Sequence, residues 1–328
     1  MNIYEVAKKA KVSAATVSRV INNKPNISAK TYEKVMYVLA DTNYSPNAIA
    51  RGLALNSMNM VGVVVDDIRN LYRANVVYYL EDLLSKNNYN AVIFNAGTKV
   101  DSLYPLILQQ RLDALIFVGS SMSTPQVREF IQTHFSQQPV LMYNGEIDLP
   151  NVLTVICDES AGMQLLADHL YRTGRRKPIY VDFSNTLASQ RKFQGFREKL
   201  DDLRVEFDDS HVFLAPSDDF DGGCAAAKRA IESGLKFDAV VCSLDLLAMG
   251  VLYTLQQYGF NIPGDISVTG FDNLTYGKIS APFLTSIDGN AEVMANVAVE
   301  RLIACISGAP VSTEPVYIAP SLFLGGTT

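Results

Sequence analysis

The sequence has little of what catalytic and disulfide-stabilised proteins need. Its four cysteines are scattered without a C-x-x-C pair, and its three histidines lie far apart. We therefore expect reduced, buried thiols and neither a zinc site nor a disulfide framework. The chain also shows no nucleophile–base arrangement, no metal-ligand spacing and no glycine-rich phosphate loop after its first predicted strand. These absences predict a protein that is not an enzyme and that uses no cofactor.

Long apolar runs are also missing. No stretch approaches the roughly 18 residues that a membrane span requires. The N-terminus has no apolar segment of the kind found in secretory signals, so we expect a cytoplasmic protein without a membrane partner. An apolar content of 48% with 19% charged residues is typical of globular proteins, and 328 residues suffice for two or three domains.

Positive charge is scarce overall but concentrated at one end. The formal net charge is −6, which alone would argue against a nucleic-acid partner. Residues 1–56, however, hold eight lysines and arginines against three acidic residues, a net +5, which leaves −11 for the remainder. A basic N-terminal head on an acidic body is typical of modular DNA-binding proteins, because the head attracts phosphates while the body does not.

Two short helices separated by a tight turn are predicted within this head. In each, apolar residues recur at the spacing of one helix face, which is Ile3, Val6, Ala7 and Ala10 in the first and Val17, Val20 and Ile21 in the second. Ser13 can cap the second helix through its hydroxyl. The outer face of that helix, with Ala14, Ala15, Ser18, Arg19 and Asn22, suits a DNA major groove. The spacing alone also fits an ordinary two-helix corner.

The residues of this segment add a resemblance. From Glu5 to Asn22 they run Glu-Val-Ala-x-x-Ala-x-Val-Ser-x-x-Thr-Val-Ser-Arg-Val-Ile-Asn, which closely resembles the opening of the lactose/galactose repressor family of bacterial transcription regulators. The match continues through residues 28–31 and 44–53 and more loosely to the C-terminus. One departure is Lys11, which stands where the family usually has a glycine in a left-handed turn.

The resemblance implies how the head contacts operator double-stranded DNA. Base contacts fall to Ala14, Ala15 and Arg19, and an arginine can fork onto a guanine. Leu53 becomes an apolar wedge in the minor groove, on a hinge helix too short to persist alone; without the resemblance it could equally lie in a flexible linker. The implied DNA contacts are Tyr4, Ser13, Ala14, Ala15, Thr16, Ser18, Arg19, Asn22, Ser28, Thr31, Tyr44, Asn47 and Leu53.

From Met60 onward, apolar strands alternate with helical segments. Predicted strands are Met60–Val65, Ala91–Phe94, Ala114–Val118, Val140–Tyr143, Thr154–Cys157, Ile179–Asp182, Ala239–Ser243 and Ile266–Gly270. Predicted helices are Tyr72–Lys86, Ser102–Gln110, Ser160–Arg172, Ser189–Asp201, Cys224–Ser233 and Leu246–Tyr258. Apolar strands alternating with helices indicate an α/β fold with parallel sheets covered on both faces.

About 270 residues of this pattern exceed one ordinary domain, so two doubly wound parallel lobes with a cleft between them are expected. The family has this arrangement, which is of the periplasmic-binding-protein type. The predicted organisation is a three-helix helix-turn-helix domain at 1–45, a hinge helix and linker at 46–58, and an effector-binding and dimerisation domain at 59–328. Lobe one would comprise about 59–157 and 289–316, and lobe two about 158–288 and 317–328.

Short polar residues follow several predicted strands, where ligands of open parallel sheets bind. They are Asp66, Asp67, Asn144, Ser184, Asp245 and Asp272. Each could instead be a turn residue or a helix cap, and Asp245 in particular could begin the next helix. Together they indicate one cleft suited to a polyhydroxyl ligand.

The resemblance sharpens this set. Gly-Phe-Asp-Asn ending at Asn273 matches a family motif whose Asp contacts the effector, which makes Asp272 the best single candidate. Asn144, Asn70 and Tyr72 fall on other pocket segments of the family. The family's ligand-contacting arginine aligns with Lys192, with Arg191 one residue earlier, and the sequence leaves open which of the two reaches the ligand. The expected effector contacts are Asp66, Asn70, Tyr72, Asn144, Arg191, Lys192, Asp245 and Asp272.

These features predict a DNA-binding transcriptional regulator, in the main interpretation a repressor whose operator affinity changes when a sugar binds between the lobes. A corepressor-type regulator that responds to a purine or another metabolite remains an alternative, because the same residues could serve a ligand that strengthens DNA binding or one that weakens it. The rival from another class is a sugar-binding protein without a DNA role, but that protein would not need the basic head. No leucine heptad follows the last predicted element, so a homodimer is expected and not a tetramer.

Overall fold

The computed structural model describes residues 2–21, 25, 27–42, 57–97 and 99–328. The chain divides into two compact units, Met1–Asn59 and Met60–Thr328. Among the described residues, no helix is both long and apolar enough to cross a bilayer.

The described residues of the first unit form the helices α1 (Ile3–Ala10), α2 (Ala14–Ile21) and α3 (Ala29–Asp41). A capping box begins α1, since the Asn2 side chain accepts the amides of Tyr4 and Glu5 at 3.0 Å while the Glu5 carboxylate accepts the amide of Asn2. Ser28 caps α3, as its position before that helix predicts.

A small apolar core joins the three helices. Buried at its centre are Val6, Ala10, Val17, Val20 and Val35, each no more than 2% exposed. The predicted inner faces of the first two helices are therefore confirmed. Because this core uses the inward residues of α2, the outer face of that helix is left for another surface.

Lys11 forms the turn between α1 and α2 in the left-handed conformation, with φ 49° and ψ 48°. The turn closes where the Val12 amide donates to the Ala7 carbonyl at 3.0 Å. A residue with a Cβ is strained in this conformation. The sequence therefore retains the family's turn without the glycine that normally permits it.

Replacing Lys11 with glycine is expected to stabilise the head by roughly 0.5–1 kcal/mol, because glycine adopts positive φ without the Cβ clash. Chemical denaturation of the full chain, followed through the transition of the head, measures the change. Lys11→Ala is the matched control, since it removes the charge and keeps the strained Cβ. Equal stability of the two variants would contradict this explanation.

The second unit contains two six-stranded sheets. In the first, all strands are parallel in the order β11-β5-β4-β3-β1-β2. The second has the order β12-β10-β9-β8-β6-β7, in which β12 alone runs antiparallel to its neighbour. The strands are β1 (Met60–Val65), β2 (Asn90–Asn95), β3 (Ala114–Val118), β4 (Val140–Tyr143), β5 (Val152–Cys157), β6 (Pro178–Asp182), β7 (Val212–Leu214), β8 (Ala239–Cys242), β9 (Ser267–Phe271), β10 (Thr285–Asp288), β11 (Val316–Ile318) and β12 (Ser321–Phe323).

Helices connect these strands and cover both faces of each sheet. Along β1, Val63 and Val65 enter one apolar cluster while Val64 enters another, as a strand buried on both faces requires. The helices are α4 (Leu71–Lys86), α5 (Tyr104–Gln109), α6 (Pro125–His134), α7 (Glu159–Arg172), α8 (Leu187–Asp202), α9 (Phe220–Glu232), α10 (Asp245–Gln257) and α11 (Ala291–Ile306). Short 3₁₀ turns lie at Val100–Leu103, Ser120–Met122, Asp209–His211 and Thr275–Lys278.

The predicted α/β class with two doubly wound lobes is confirmed, but the sequence pattern does not predict every element. It predicts no helix between β3 and β4, where α6 lies, and it does not predict the strands β7, β10, β11 and β12. Three of these four strands have only three residues, which is too short for a periodic signal. In α6, the buried residues Val127, Phe130 and Ile131 do have helical spacing, so the sequence carried a signal for this helix that the prediction overlooked.

The chain crosses between the lobes three times, after β5, after β10 and after β11. The segments contact one another: Asp158 donates its amide to the Ile318 carbonyl at 3.0 Å, and the Asn290 side chain donates to the Ala319 carbonyl at 2.7 Å. The third crossing follows Ile318, because β11 still pairs with β5 of the first lobe. The lobe boundary predicted between 316 and 317 therefore falls inside a strand of lobe one.

Candidate functional site

The outer face of α2 presents the residues predicted to contact DNA bases. Ala15 and Arg19 are exposed, and Ala14 is partly exposed beside them. The Arg19 guanidinium donates to the Pro25 carbonyl at 2.8 Å through Nη2. Among the described residues it makes no other hydrogen bond, which leaves the rest of the guanidinium fork available to a base edge. This face of α2 therefore offers one cation next to two small residues, which allow close approach to a groove.

Hydroxyl pairs occupy the N-termini of α2 and α3. Ser13 Oγ lies 2.9 Å from Thr16 Oγ1 and accepts the Thr16 amide, and Ser28 Oγ lies 2.8 Å from Thr31 Oγ1. Together with the positive ends of the helices, such hydroxyls can contact phosphates. Tyr4 on α1 is also exposed, at 73%. These positions are consistent with the predicted backbone contacts, and the partly exposed Ser18 lies on α2 with Arg19.

Four predicted DNA contacts lie outside the described residues. They are Asn22, Tyr44, Asn47 and Leu53, and the hinge helix predicted at 46–58 falls mostly in the same stretch. Their roles remain predictions from the resemblance.

A cavity of about 470 Å³ lies between the two lobes, at the carboxyl ends of strands from both sheets. This is where open parallel sheets bind ligands. Most of the predicted effector residues line it. They are Asp66, Asn70, Tyr72, Asn144, Lys192 and Asp272. Asp67 and Ser184, which also follow predicted strands, line it too.

Asp272 follows β9 and presents its carboxylate to the cavity. No donor in the described part of the chain makes a hydrogen bond to that carboxylate, although its backbone amide donates to Ile287 at 2.8 Å. Its φ of 110° lies where residues with a side chain are strained. Burial raises the pKa of Asp272 to about 6, while the charges of Lys192 and Arg73 oppose that rise. The site thus holds a carboxylate that a ligand could satisfy.

Lys192 lies on α8 with only 6% of its surface exposed. Its Nζ donates to the Ser243 carbonyl at 2.9 Å and lies 3.8 Å from the centre of the Phe271 ring. An ammonium has three N–H groups, so Lys192 can still donate to a ligand beside Asp272. Of the two residues left open by the sequence, Lys192 lines the cavity.

Arg191 does not line the cavity, and its predicted ligand contact is not supported. Its Nε donates to the Glu159 carboxylate at 2.8 Å, and its Nη1 lies 3.6 Å from Glu146. A one-residue step along a helix turns a side chain by about 100°, which carries Arg191 away from the cavity. Burial raises the pKa of Glu159, and the Arg191 charge opposes that effect.

Asp245 also does not line the cavity, so the structure gives no support to its predicted effector contact. It is the first residue of α10 and only 1% exposed. Its two carboxylate oxygens accept the Ser286 hydroxyl and the Leu274 amide, both at 2.6 Å. Asp245 therefore holds the loop after Asp272 in place, which is the helix-start role that the sequence kept as an alternative.

Asn144 lines the cavity, but its side chain also makes a hydrogen bond within the protein. Its side-chain oxygen accepts the Cys157 amide at 3.0 Å. Its φ of 54° places it in the left-handed region that Asn tolerates. Asn144 thus stabilises the first crossing between the lobes as well as the cavity wall.

Four charged residues of the cavity wall were not predicted, Arg69, Arg73, Asp182 and Asp218. Asp182, the last residue of β6, accepts the Ser243 hydroxyl at 2.6 Å and the Phe183 amide at 2.7 Å, and the strand-exit rule could have found it. Arg73 and Asp218 carry no sequence signal. Arg73 contacts Asp66 in the first lobe, and its Nη1 lies 3.5 Å from Asp218 in the second. These contacts join the lobes at the cavity mouth.

The arrangement is that of a binding site. Within the described ranges, no group of three or more histidine, cysteine or acidic side chains is placed to hold a metal ion. What the geometry can do is enclose a small polar molecule between two lobes that are connected by three chain crossings.

Two family models match the chain and together span nearly all of it. "Periplasmic binding proteins and sugar binding domain of LacI family" matches residues 58–323, and "Bacterial regulatory proteins, lacI family" matches residues 2–47. The chain belongs to the LacI family. It is thus a DNA-binding transcriptional regulator with an effector-binding domain, which confirms the resemblance found in the sequence.

Relatives within the LacI family match over most of their length. An HTH-type transcriptional regulator of Lachnoclostridium phytofermentans is 32% identical over 100% of this chain and 99% of its own. Catabolite control protein A of Priestia megaterium is 29% identical over 88% and 87% of the two chains.

Solved structures share the fold. The lac repressor dimer bound to operator and the anti-inducer ONPF has a TM-score of 0.88 at 23% identity, over 100% of this chain and 98% of its own. A complex of the transcriptional regulator CelR with cellobiose has a TM-score of 0.75 at 23% identity, over 100% of both chains.

Mutation should separate the roles of Lys192, which lines the cavity, and Arg191, which pairs with Glu159. Lys192→Met is expected to weaken effector binding by about 10-fold, because a charged donor is lost from the cavity. Arg191→Met should leave affinity unchanged but reduce stability by roughly 1–2 kcal/mol, since Glu159 loses its partner and can only partly compensate by taking up a proton. Calorimetric ligand titration and thermal unfolding of both variants measure these effects. The opposite assignment would be correct if Arg191→Met alone reduced affinity.

Proposed function

We propose that this LacI-family regulator is a repressor whose operator occupancy is controlled by a sugar bound between its lobes. The observation that carries the proposal is the Asp272 carboxylate, which faces a cavity of about 470 Å³ and accepts no hydrogen bond from the described residues. A partly buried carboxylate in this state favours a ligand that supplies donors. Sugar hydroxyls supply such donors, and two of them can bind one carboxylate.

Other features of the cavity support a polyhydroxyl ligand. Short polar side chains of Ser121, Ser184 and Asn70 lie on its wall, and the apolar faces of Tyr72 and Phe183 contribute to the same surface. Sugars combine a rim of hydroxyls with apolar ring faces, so a wall of this mixed kind suits them. The cellobiose complex of a protein with the same fold is in keeping with this class of ligand.

Repression would follow from the geometry of the two units. In the head, Arg19 and the hydroxyl pairs on α2 and α3 bind the operator. In the body, a ligand that favours one angle between the lobes shifts the protein toward that state. We propose that this change separates the hinge helices of a dimer and releases DNA in the cytoplasm.

A homodimer is supported by an exposed apolar patch on lobe two, which consists of Phe220, Tyr253, Tyr276, Ile279 and Phe283. Their exposed fractions run from 40% to 70%. The rings of Phe220 and Tyr253 lie 5.5 Å apart, and a hydrogen bond from Gln256 to the Ala281 carbonyl joins α10 to the segment after it. Exposed patches of this kind mark interaction surfaces. Two heads on one two-fold body would bind two operator half-sites.

A thermal-shift screen of the full chain tests this function. Non-phosphorylated mono- and disaccharides and purine bases are tested separately against the transition of the body, because a ligand that binds the native state raises its melting temperature. A sugar that raises this temperature supports the proposal. A purine that does so, with no response to sugars, would favour the corepressor-type alternative.

A further inference from the structure

We infer that the cavity selects an uncharged ligand and rejects phosphate esters, so that the effector is a non-phosphorylated sugar. The inference rests on the proposed function, because it concerns the ligand of the same cavity. It follows from the charges on the cavity wall and from the partners that each of them already has.

Acidic side chains outnumber basic ones on this wall. Five aspartates line it, Asp66, Asp67, Asp182, Asp218 and Asp272, against the three cations Arg69, Arg73 and Lys192. A phosphate ester carries close to two negative charges at neutral pH. Bringing it into a partly enclosed space with this excess of carboxylates is unfavourable, because repulsion is stronger where water is excluded.

The two arginines are already paired with aspartates. Arg69 donates to both carboxylate oxygens of Asp67, at 2.7 to 3.2 Å, and the hydrogen bonds from its side chain and backbone lower the pKa of Asp67 to about 2. Arg73 contacts Asp66 and lies 3.5 Å from Asp218. An entering phosphate would have to displace these carboxylates to obtain the bidentate arginine contact that it favours.

Lys192 also already has partners in the protein. Its ammonium donates to the Ser243 carbonyl, lies over the Phe271 ring and is the largest opposing charge at Asp272. A phosphate that reached Lys192 would therefore also approach the Asp272 carboxylate. Because both groups only accept hydrogen bonds, neither could satisfy the other.

Helix N-termini are further sites where a phosphate could bind, and side chains already occupy two of those at the cavity. At α4, Asn70 accepts the amides of Tyr72 and Arg73. At α8, Thr186 accepts the Ser189 amide. The first turns of α4 and α8 thus already have a side-chain acceptor where an anion would bind.

The test compares matched ligands on the full chain by calorimetric titration. The pairs are glucose with glucose 6-phosphate, and fructose with fructose 1-phosphate. Inorganic phosphate is added as a third probe, and its effect on melting temperature is compared with that of chloride at equal ionic strength. Phosphate stabilises proteins in general, so the wild type is compared with Lys192→Met and Arg73→Met, in which a cation of the cavity is missing.

We expect each phosphate ester to bind at least about 10-fold more weakly than its parent sugar, and phosphate to shift wild type and both variants equally. Tighter binding of either ester than of its parent sugar would overturn the inference, as would a phosphate-induced shift that is lost in a variant. The proposed function would survive that result. If no sugar binds and the phosphate shifts are equal, the exclusion of anions stands and the sugar class of the proposed function fails.

Discussion

Replacing Asp272 with asparagine is expected to weaken effector binding by about 30- to 100-fold while leaving DNA binding unchanged. The change removes the charge that strengthens hydrogen bonds from ligand hydroxyls, each worth roughly 1.5–3 kcal/mol. Asparagine keeps the size of the side chain and tolerates the φ of 110° about as well as aspartate does. Calorimetric titration with the sugar found in the screen measures the loss.

Asp168→Asn is the matched control, because it makes the same chemical change on α7, outside the cavity wall. Its effector affinity should equal that of the wild type. Equal affinities for Asp272→Asn and the wild type would show that the carboxylate does not hold the ligand.

The same carboxylate should give the wild type an acid-dependent affinity. Burial raises the pKa of Asp272 to about 6, and a ligand that donates hydroxyls favours the ionised form. The affinity for the effector therefore has its full value above this pKa, and it falls by at most about 10-fold per pH unit as the pH drops through it. Titrations between pH 5 and pH 8 should show this slope in the wild type and lose it in Asp272→Asn.

Replacing Arg19 with alanine is expected to lower operator affinity by roughly 5- to 100-fold, because an arginine fork on a guanine contributes about 1–3 kcal/mol. Arg19 is exposed on α2, and the apolar core of the head lies on the opposite face, so the fold should persist. Mobility shifts on DNA selected in vitro with the wild-type chain measure the effect.

Two further variants separate charge from recognition. Arg19→Lys keeps the charge without the planar fork, so it should retain the salt dependence of binding and lose base preference. Arg172→Ala removes an equal charge from an exposed position on the body and should bind operator like the wild type. If Arg19→Ala also bound like the wild type, α2 would not be the base-contacting helix.

Much of the fold follows from local patterns in the sequence. The predicted β3 and β4 have the observed bounds, because each is a short apolar run buried along its whole length. The head follows from a specific motif, and its inner faces from helical spacing. The short edge strands β7, β11 and β12 lack such runs, so their positions depend on tertiary pairing that the sequence alone does not specify.

The cavity is only partly predictable. Strand ends identify Asp66, Asn144 and Asp272 because parallel strands of one sheet end on the same edge. The rule cannot distinguish a residue that faces the cavity from one that supports a loop, and Asp245 is of the second kind.

The roles of charged residues that do not follow a strand are harder still to predict from the sequence. Nothing in the sequence places Lys192 at the cavity wall and Arg191 in an ion pair, because both lie on one helix and only the packing of α8 fixes its rotation. Arg73 and Asp218 are 145 positions apart, so their contact across the cavity mouth requires both lobes to be in place.

Effector binding in the cavity should change how tightly the head binds DNA, and DNA affinity measured with and without effector shows whether it does. Selected operator DNA with a fluorescent label is titrated with the full chain, in the absence of the sugar and at saturation, and its anisotropy is followed. We expect the wild-type affinity to change by about 10-fold or more, and the affinity of Asp272→Asn to change less at the same sugar concentration. A fall in wild-type affinity identifies an inducer and a rise identifies a corepressor. Identical wild-type affinities with the cavity empty and filled would show that the two units are not coupled.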